Sequence, residues 1–317
     1  MGTGEIAGLA AAAFWACSSL FYTRTPLTAW QLNFGKNILA SLLLLSHLAL
    51  LTSSAGEPLF TADSRTIIAL ALSSVIGIVI GDTFYFRSLQ LLGPSRALVV
   101  STTSPLFAVA IGWIVLGEGH SWMTLLGILV TLVGVAVVVT ERPSQSAGDS
   151  NAIQPEPLPS VNQLHAMRNG VIAGLFGAVL NAVGATFSRL GTSGSEYWDI
   201  RGCDPLQATV IRVCVAGVAS VATALAIRSL VTTARASFGW PRLKYYLPAV
   251  FCGPWFGIWM SQIAYKHSPL AIALTLTCTT PLFAIPLSRI VQGTPISIRG
   301  LCGALVALIG VYLTVRT

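Results

Sequence analysis

Two cations and a carboxylate sit inside long apolar stretches of this sequence, where charge needs a reason. Lys36 lies about seven residues into one such stretch, and Arg212 holds the corresponding place in another, 176 positions later. A cation at membrane depth costs about 2.5 to 3.5 kcal/mol on insertion scales. One reading places both side chains on a central cavity, where they attract an anionic or carboxylate-bearing solute from each side in turn. The other lets both snorkel to the nearer interface, about 10 Å from each helix end. Asp82 is the carboxylate well inside an apolar stretch. Desolvation favours its neutral acid, whereas a nearby Lys36 or Arg87 favours the charged form, so it reads either as a proton-coupling group or as half of an ion pair.

Uncharged polar residues recur in a fixed pattern. Thr102 and Thr103 precede Pro105 within the run Ser101 to Ser104, and Thr279 precedes Pro281 within a run holding Thr275, Thr277 and Thr280. Proline frees a backbone carbonyl one turn earlier and permits a hinge, and neighbouring hydroxyls can satisfy that carbonyl or coordinate a solute. Trp15, Tyr85 and Trp259 lie deep in their stretches; Gln262 and Asn181 offer amide donors. Aromatic walls with scattered donors suit an amphipathic small molecule.

These residues belong to a chain of 317 residues that is 54% hydrophobic and only 9% charged, with a mean hydropathy of +0.76. So thin a charged coat excludes an ordinary soluble enzyme, for which about a quarter of residues are charged. The net charge of +7 comes from basic residues scattered without a run of four, so no nucleic-acid surface is expected. The expected partners are the lipid bilayer and a small-molecule substrate. The cysteines are far apart in sequence and signal neither a zinc site nor a disulfide framework. No nucleotide loop, zinc-protease motif or paired-carboxylate motif occurs, so neither a cofactor nor catalysis is expected.

A bilayer core of about 30 Å needs roughly 20 apolar residues of helix. Windows of that kind number ten, near 5–23, 29–51, 66–88, 97–117, 121–140, 170–189, 206–228, 245–265, 270–291 and 297–315. The stretch 143–168, rich in Pro, Ser, Gln and Asn, reads as a flexible aqueous linker between 1–142 and 169–317. The halves resemble each other: Thr103-Ser104-Pro105-Leu106-Phe107-Ala108 matches Thr279-Thr280-Pro281-Leu282-Phe283-Ala284, each position offset by 176. At that offset Gly77 and Gly81 match Gly253 and Gly257, and Gly127, Gly134 and Val135 match Gly303, Gly310 and Val311. The first and sixth windows match at an offset of 166, which leaves ten extra residues in the first loop of the second half. An odd number of crossings per repeat makes the second enter the membrane from the opposite face. The expected fold is therefore an all-α polytopic membrane protein of ten transmembrane helices in two inverted five-helix repeats. The fifth and tenth, apolar and Gly/Val-rich, belong at its periphery and are a possible homodimer contact.

The doubled T-[ST]-P-L-F-A element, followed by a glycine and then Gly-Val, is similar to the EamA-type repeat of the drug/metabolite transporter superfamily. Gly81-Asp82-Thr83-Phe84-Tyr85-Phe86 and Leu116-Gly117-Glu118 fit the same family pattern; the second repeat departs from it with Gly293-Thr294 where the first has Gly117-Glu118. The resemblance implies a ten-helix inverted-repeat carrier, often an exporter of amino acids or other small metabolites. It also implies a multi-pass plasma-membrane protein, of the bacterial inner-membrane kind, with cytoplasmic termini. The basic residues argue otherwise: loops after odd-numbered helices hold 10 Lys and Arg, the termini and other loops 5, a bias that places the termini outside. The alternatives to such a carrier are a nucleotide-sugar or phosphate-ester antiporter, with Lys36 and Arg212 on phosphate, and a polytopic membrane enzyme acting on lipid.

Overall fold

A backbone immersed in hydrocarbon must satisfy its own hydrogen bonds, so apolar stretches of this length form helices. They do so in a computed structural model that describes residues 1–22, 27–55, 60–92, 94–140, 161–292 and 298–316. The first half comprises α1 (Thr3–Tyr22), α2 (Ala29–Ala55), α3 (Ser64–Ser73) continuing through a π-helical stretch, Ser74–Gly81, into α4 (Asp82–Leu92), then α5 (Pro94–Ser101), α6 (Ser104–Ile111) ending in a short π-helical stretch, Gly112–Leu116, and α7 (Trp122–Val139). The second comprises α8 (Val161–Ser193), α9 (Pro205–Ala226), α10 (Leu230–Ser237), α11 (Trp240–Val250) continuing through a π-helical stretch equivalent to the first, Phe251–Gly257, into α12 (Ile258–His267), then α13 (Leu270–Thr277), α14 (Thr280–Gln292) and α15 (Ile298–Val315). Local chemistry sets several starts. Asp63 accepts from the Thr66 amide at 3.2 Å, Ser121 from that of Thr124 at 3.1 Å, and Asp204 from that of Leu206 at 2.8 Å with Pro205 opening the first turn.

Nine helical stretches among the described residues are long and apolar enough to cross a bilayer, which makes this a multi-pass integral membrane protein. The expected eighth window is not among them. It is helical from Trp240 to His267, but Lys244, Pro248 and Pro254 interrupt its apolar run and its helical hydrogen bonding. The expected linker also needs correction at its end, because helix begins at Val161 rather than near 170. Val161, Leu164 and Met167 recur at helical spacing there; the rest of that linker, 143–160, lies outside the described residues.

Partners exchange between the halves as a pseudo-two-fold axis requires. Helix α1 packs on α11, α12, α13 and α14, and α8 packs on α3, α4, α5 and α6, while α2 meets α9 and α7 meets α15. Single contacts repeat too: a Cβ at Gly8 would lie 3.0 Å from Leu276 Cβ, and one at Gly174 would lie 3.2 Å from Val100 Cβ, the equivalent pair. Ser18 Oγ donates to Ala249 O at 2.8 Å, and Ser73 Oγ, equivalent to Ala249, donates to Gly184 O, equivalent to Ser18, at 2.5 Å.

Helices α7 and α15 run against each other backbone to backbone. A Cβ on Gly127 would lie 2.5 Å from Thr314 N, and one on Gly303 would lie 2.9 Å from Gly134 O. Their outer faces expose Leu129, Val133, Leu301, Leu305 and Leu308, so the pair occupies the rim, as its lack of polar residues predicts.

Candidate functional site

Of the three π-helical stretches among the described residues, Ser74–Gly81 and Phe251–Gly257 stand at equivalent places in the two repeats. The Asp82 amide donates to Gly77 O, and 176 positions later the Ile258 amide donates to Gly253 O, each spanning five residues instead of four. A wide turn shifts the helical phase of everything after it, and such turns favour functional sites. Gly77 permits close packing here: a Cβ on it would lie 3.5 Å from Gly184 Cα. Beyond the first wide turn Asp82 meets Lys36, with Nζ 2.8 Å from Oδ2 and side-chain exposures of 14% and 27%. Lys36 therefore turns into the helix bundle rather than along α2 to the interface. Arg87, the other cation considered for Asp82, is exposed.

Arg212 is placed differently from its repeat partner. It is only 8% exposed, it pairs with no carboxylate among the described residues, and its Nε has no hydrogen-bond acceptor there. Its Nη2 lies 3.9 Å from where a Gly77 Cβ would stand, and its backbone carbonyl accepts from Ser74 Oγ at 2.6 Å. Tyr265 stands one turn beyond Gln262, on the same face of α12. Gln262 is fully buried; its Oε1 accepts from Ser188 Oγ at 2.7 Å and Thr192 Oγ1 at 2.9 Å, and its Nε2 has no partner.

The Thr-Pro segments break their helices at matching positions. The amides of Thr103 and Leu106 donate to Val100 O and Thr103 O, and those of Thr279 and Leu282 to Leu276 O and Thr279 O, all with three-residue spacing. The hydroxyls bond back to carbonyls of the preceding turn, and Thr280 Oγ1 reaches Thr277 O, the carbonyl that Pro281 leaves without its amide donor, at 2.7 Å. Thr102 Oγ1 reaches Val99 O at 2.7 Å, Thr103 Oγ1 reaches Val100 O at 2.7 Å, and Thr279 Oγ1 reaches Leu276 O at 2.6 Å. Their protons are thus engaged within the helix, and toward a solute they present only lone pairs. Asn181 Oδ1 accepts from Ser104 Oγ at 3.1 Å, while its side chain is exposed in mid-helix.

The aromatic residues separate. Trp259 joins a stack with Phe256, Trp255 and Phe14, and its ring centroid lies 5.7 Å from that of His47. His47 also accepts from Trp255 Nε1 at 3.3 Å. Trp15 packs on Gly257, and Tyr85 lies half-buried beside Gly177.

A junction that spacing did not reveal closes the face where α1 begins. Glu118 pairs with Arg189 Nε, and its Oε2 accepts from the Leu270 amide at 2.8 Å, capping α13. Arg189 Nη1 donates to Tyr265 O and, at 2.6 Å, to Ser268 O; Ser268 Oγ donates to Glu5 Oε1 at 3.0 Å. Helices α1, α8, α12 and α13 and the end of the fourth apolar stretch are tied at one point. The signal available in the sequence was parity: these segment ends must share a face. The ten extra residues fold over the same end as a turn held by Ser195 N to Ile200 O at 2.7 Å, with Trp198 Nε1 donating to Val115 O at 3.3 Å.

Cysteines far apart in sequence are not all far apart in space, since Cys17 and Cys252 have Sγ atoms 3.6 Å apart. Cys203, in the loop before α9, is buried, and burial pushes its thiol up to about 12, well out of nucleophilic range.

Paired helix breaks around buried polar residues, repeated in two halves, define a two-repeat helical membrane protein. The chain belongs to the EamA-like transporter family, whose model matches residues 2–140 and 168–316. An uncharacterized transporter of Archaeoglobus fulgidus is 29% identical over 132 residues, 41% of this chain and 46% of that protein, so the match spans under half the relative's length. A solved crystal structure, described only as that of a protein, aligns with a TM-score of 0.71 at 15% identity, covering 99% of this chain and 96% of that one. That likeness concerns the fold.

Proposed function

We propose that this transporter moves small amphipathic metabolites, amino-acid-like or drug-like, by alternating access, in the direction of export, without catalysing a reaction. It acts in a plasma membrane of the bacterial type with its termini in the cytoplasm. The observation that carries the reading is the matched pair of helix breaks, at Thr103 and Thr279 and at the two equivalent π-helical turns, which lets either half bend around a shared interior. The ring cluster of Trp255, Phe256 and Trp259 and the buried donors without partners, Arg212 Nε and Gln262 Nε2, support an amphipathic solute. Asp82, paired with Lys36, is the carboxylate placed to couple transport to protons by exchanging its partner.

The test is flux into proteoliposomes for a panel of amino acids, aromatic drugs and nucleotide sugars, with and without an imposed proton gradient. Saturable flux of an amphipathic amino acid or drug is expected. Flux restricted to nucleotide sugars would instead support a phosphate-ester antiporter, and no flux of any class in well-folded protein would overturn the reading.

A further inference from the structure

The two repeat-related cations are in different electrostatic states. Lys36 has its charge balanced at 2.8 Å by Asp82, so the pair is close to neutral as a unit. Arg212 remains charged under all ordinary conditions, is 8% exposed and has no carboxylate partner among the described residues. Of the buried groups on α9 and α12 that stand without a partner, Arg212 Nε and Gln262 Nε2, both are donors. The two helices pack on each other, and Tyr265 stands one turn beyond Gln262 on the same face of α12. A group that satisfies this corner must accept hydrogen bonds and carry negative charge.

We infer that Arg212 is the anchor for a single carboxylate on the transported solute, with the Gln262 amide and the Tyr265 hydroxyl as its polar surroundings. The inference rests on the transporter reading above and narrows its substrate class to amphipathic monocarboxylates, amino acids included. One unbalanced cation matches one negative charge. A nucleotide sugar brings two phosphates and would call for Lys36 as well, which Asp82 already holds. The guanidinium fork suits the planar carboxylate, since Nε and a terminal nitrogen can donate in parallel to its two oxygens. Gly77 borders that fork on the first π-helical turn, since a Cβ on it would lie 3.9 Å from Arg212 Nη2.

The experiment compares each apolar and aromatic L-amino acid with its own amide, and with UDP-glucose as the phosphate arm, in proteoliposomes holding wild type, Arg212→Gln or Arg212→Lys. A charge-assisted hydrogen bond lost from a buried site corresponds to roughly a 10- to 100-fold effect on half-saturating concentration. Wild type is expected to prefer carboxylate over amide by that factor, and Arg212→Gln to erase the preference while flux of any transported amide persists. Arg212→Lys should keep part of it, because charge survives and the planar fork does not. Should Arg212→Gln fail to fold, the carboxylate-to-amide ratio of wild type decides alone. Equal transport of acids and amides, or an unchanged preference in folded Arg212→Gln, would overturn the anchor and leave the transporter reading standing. Flux of UDP-glucose alone, or of nothing, would overturn both.

Discussion

Lys36 and Asp82 form an ion pair across α2 and α4, Nζ to Oδ2 at 2.8 Å, whereas Arg212, the repeat equivalent of Lys36, has no carboxylate partner among the described residues. The pairing balances Lys36 and leaves Arg212, 8% exposed, uncompensated. Removing one member of the pair leaves the other partly buried and unbalanced. Full burial would make that cost about 3 to 5 kcal/mol; at side-chain exposures of 14% and 27%, about 1 to 3 kcal/mol is the expected loss. Lys36→Met and Asp82→Asn should each lower the midpoint of thermal unfolding in detergent, and the double variant should lose less than the sum. Strict additivity would show the pair to be energetically idle.

The Glu118 and Arg189 junction ties several helix ends together on one face, and no equivalent acid exists in the second repeat, where Thr294 replaces Glu118. Arg189→Gln or Glu118→Gln should therefore loosen that face alone. A cysteine introduced at Ser268 should react several-fold faster with an impermeant maleimide in either variant than in the parent. An unchanged rate would mean that helix packing, rather than the ion pair, holds the face closed.

Gly134 and Ala307 show where α7 and α15 touch through their backbones. A methyl group at Gly134 runs into the Ala307 backbone, which cannot move aside as a side chain would. Gly134→Ala is expected to destabilise by roughly 1 to 3 kcal/mol, the usual cost of overpacking. Gly119, with nothing within 4 Å of an added Cβ, provides the neutral control for the same thermal-unfolding measurement.

Cys17 and Cys252 hold α1 against the π-helical stretch Phe251–Gly257 at an Sγ separation of 3.6 Å. A short thiol-bridging reagent such as mercuric ion should join them, an event that protects both from later alkylation when peptides are mapped by mass spectrometry. Cys17→Ser should abolish protection of Cys252. Independent alkylation of both thiols after mercuric treatment would contradict the packing of α1 on that stretch.

Much of this molecule is written locally. Hydropathy alone determined the solvent, because 54% hydrophobic and 9% charged residues cannot dress a water-facing surface. The 176-residue offset determined that the halves would repeat, down to the helix breaks before Pro105 and Pro281, since a proline removes its amide wherever it stands. The paired glycines foretold close helix contact, though not that Gly77 and Gly253 would each accept a five-residue hydrogen bond. Only the tertiary structure decided how charges and thiols combine: Lys36 with Asp82, Glu118 with Arg189, Cys17 beside Cys252, and Arg212 with no acid among the described residues. Sequence spacing reports which face of its own helix a residue occupies. Which residue stands opposite depends on how deep each helix sits and how it is rotated, and a single wide turn, such as the one before Asp82, shifts that rotation for every residue beyond it.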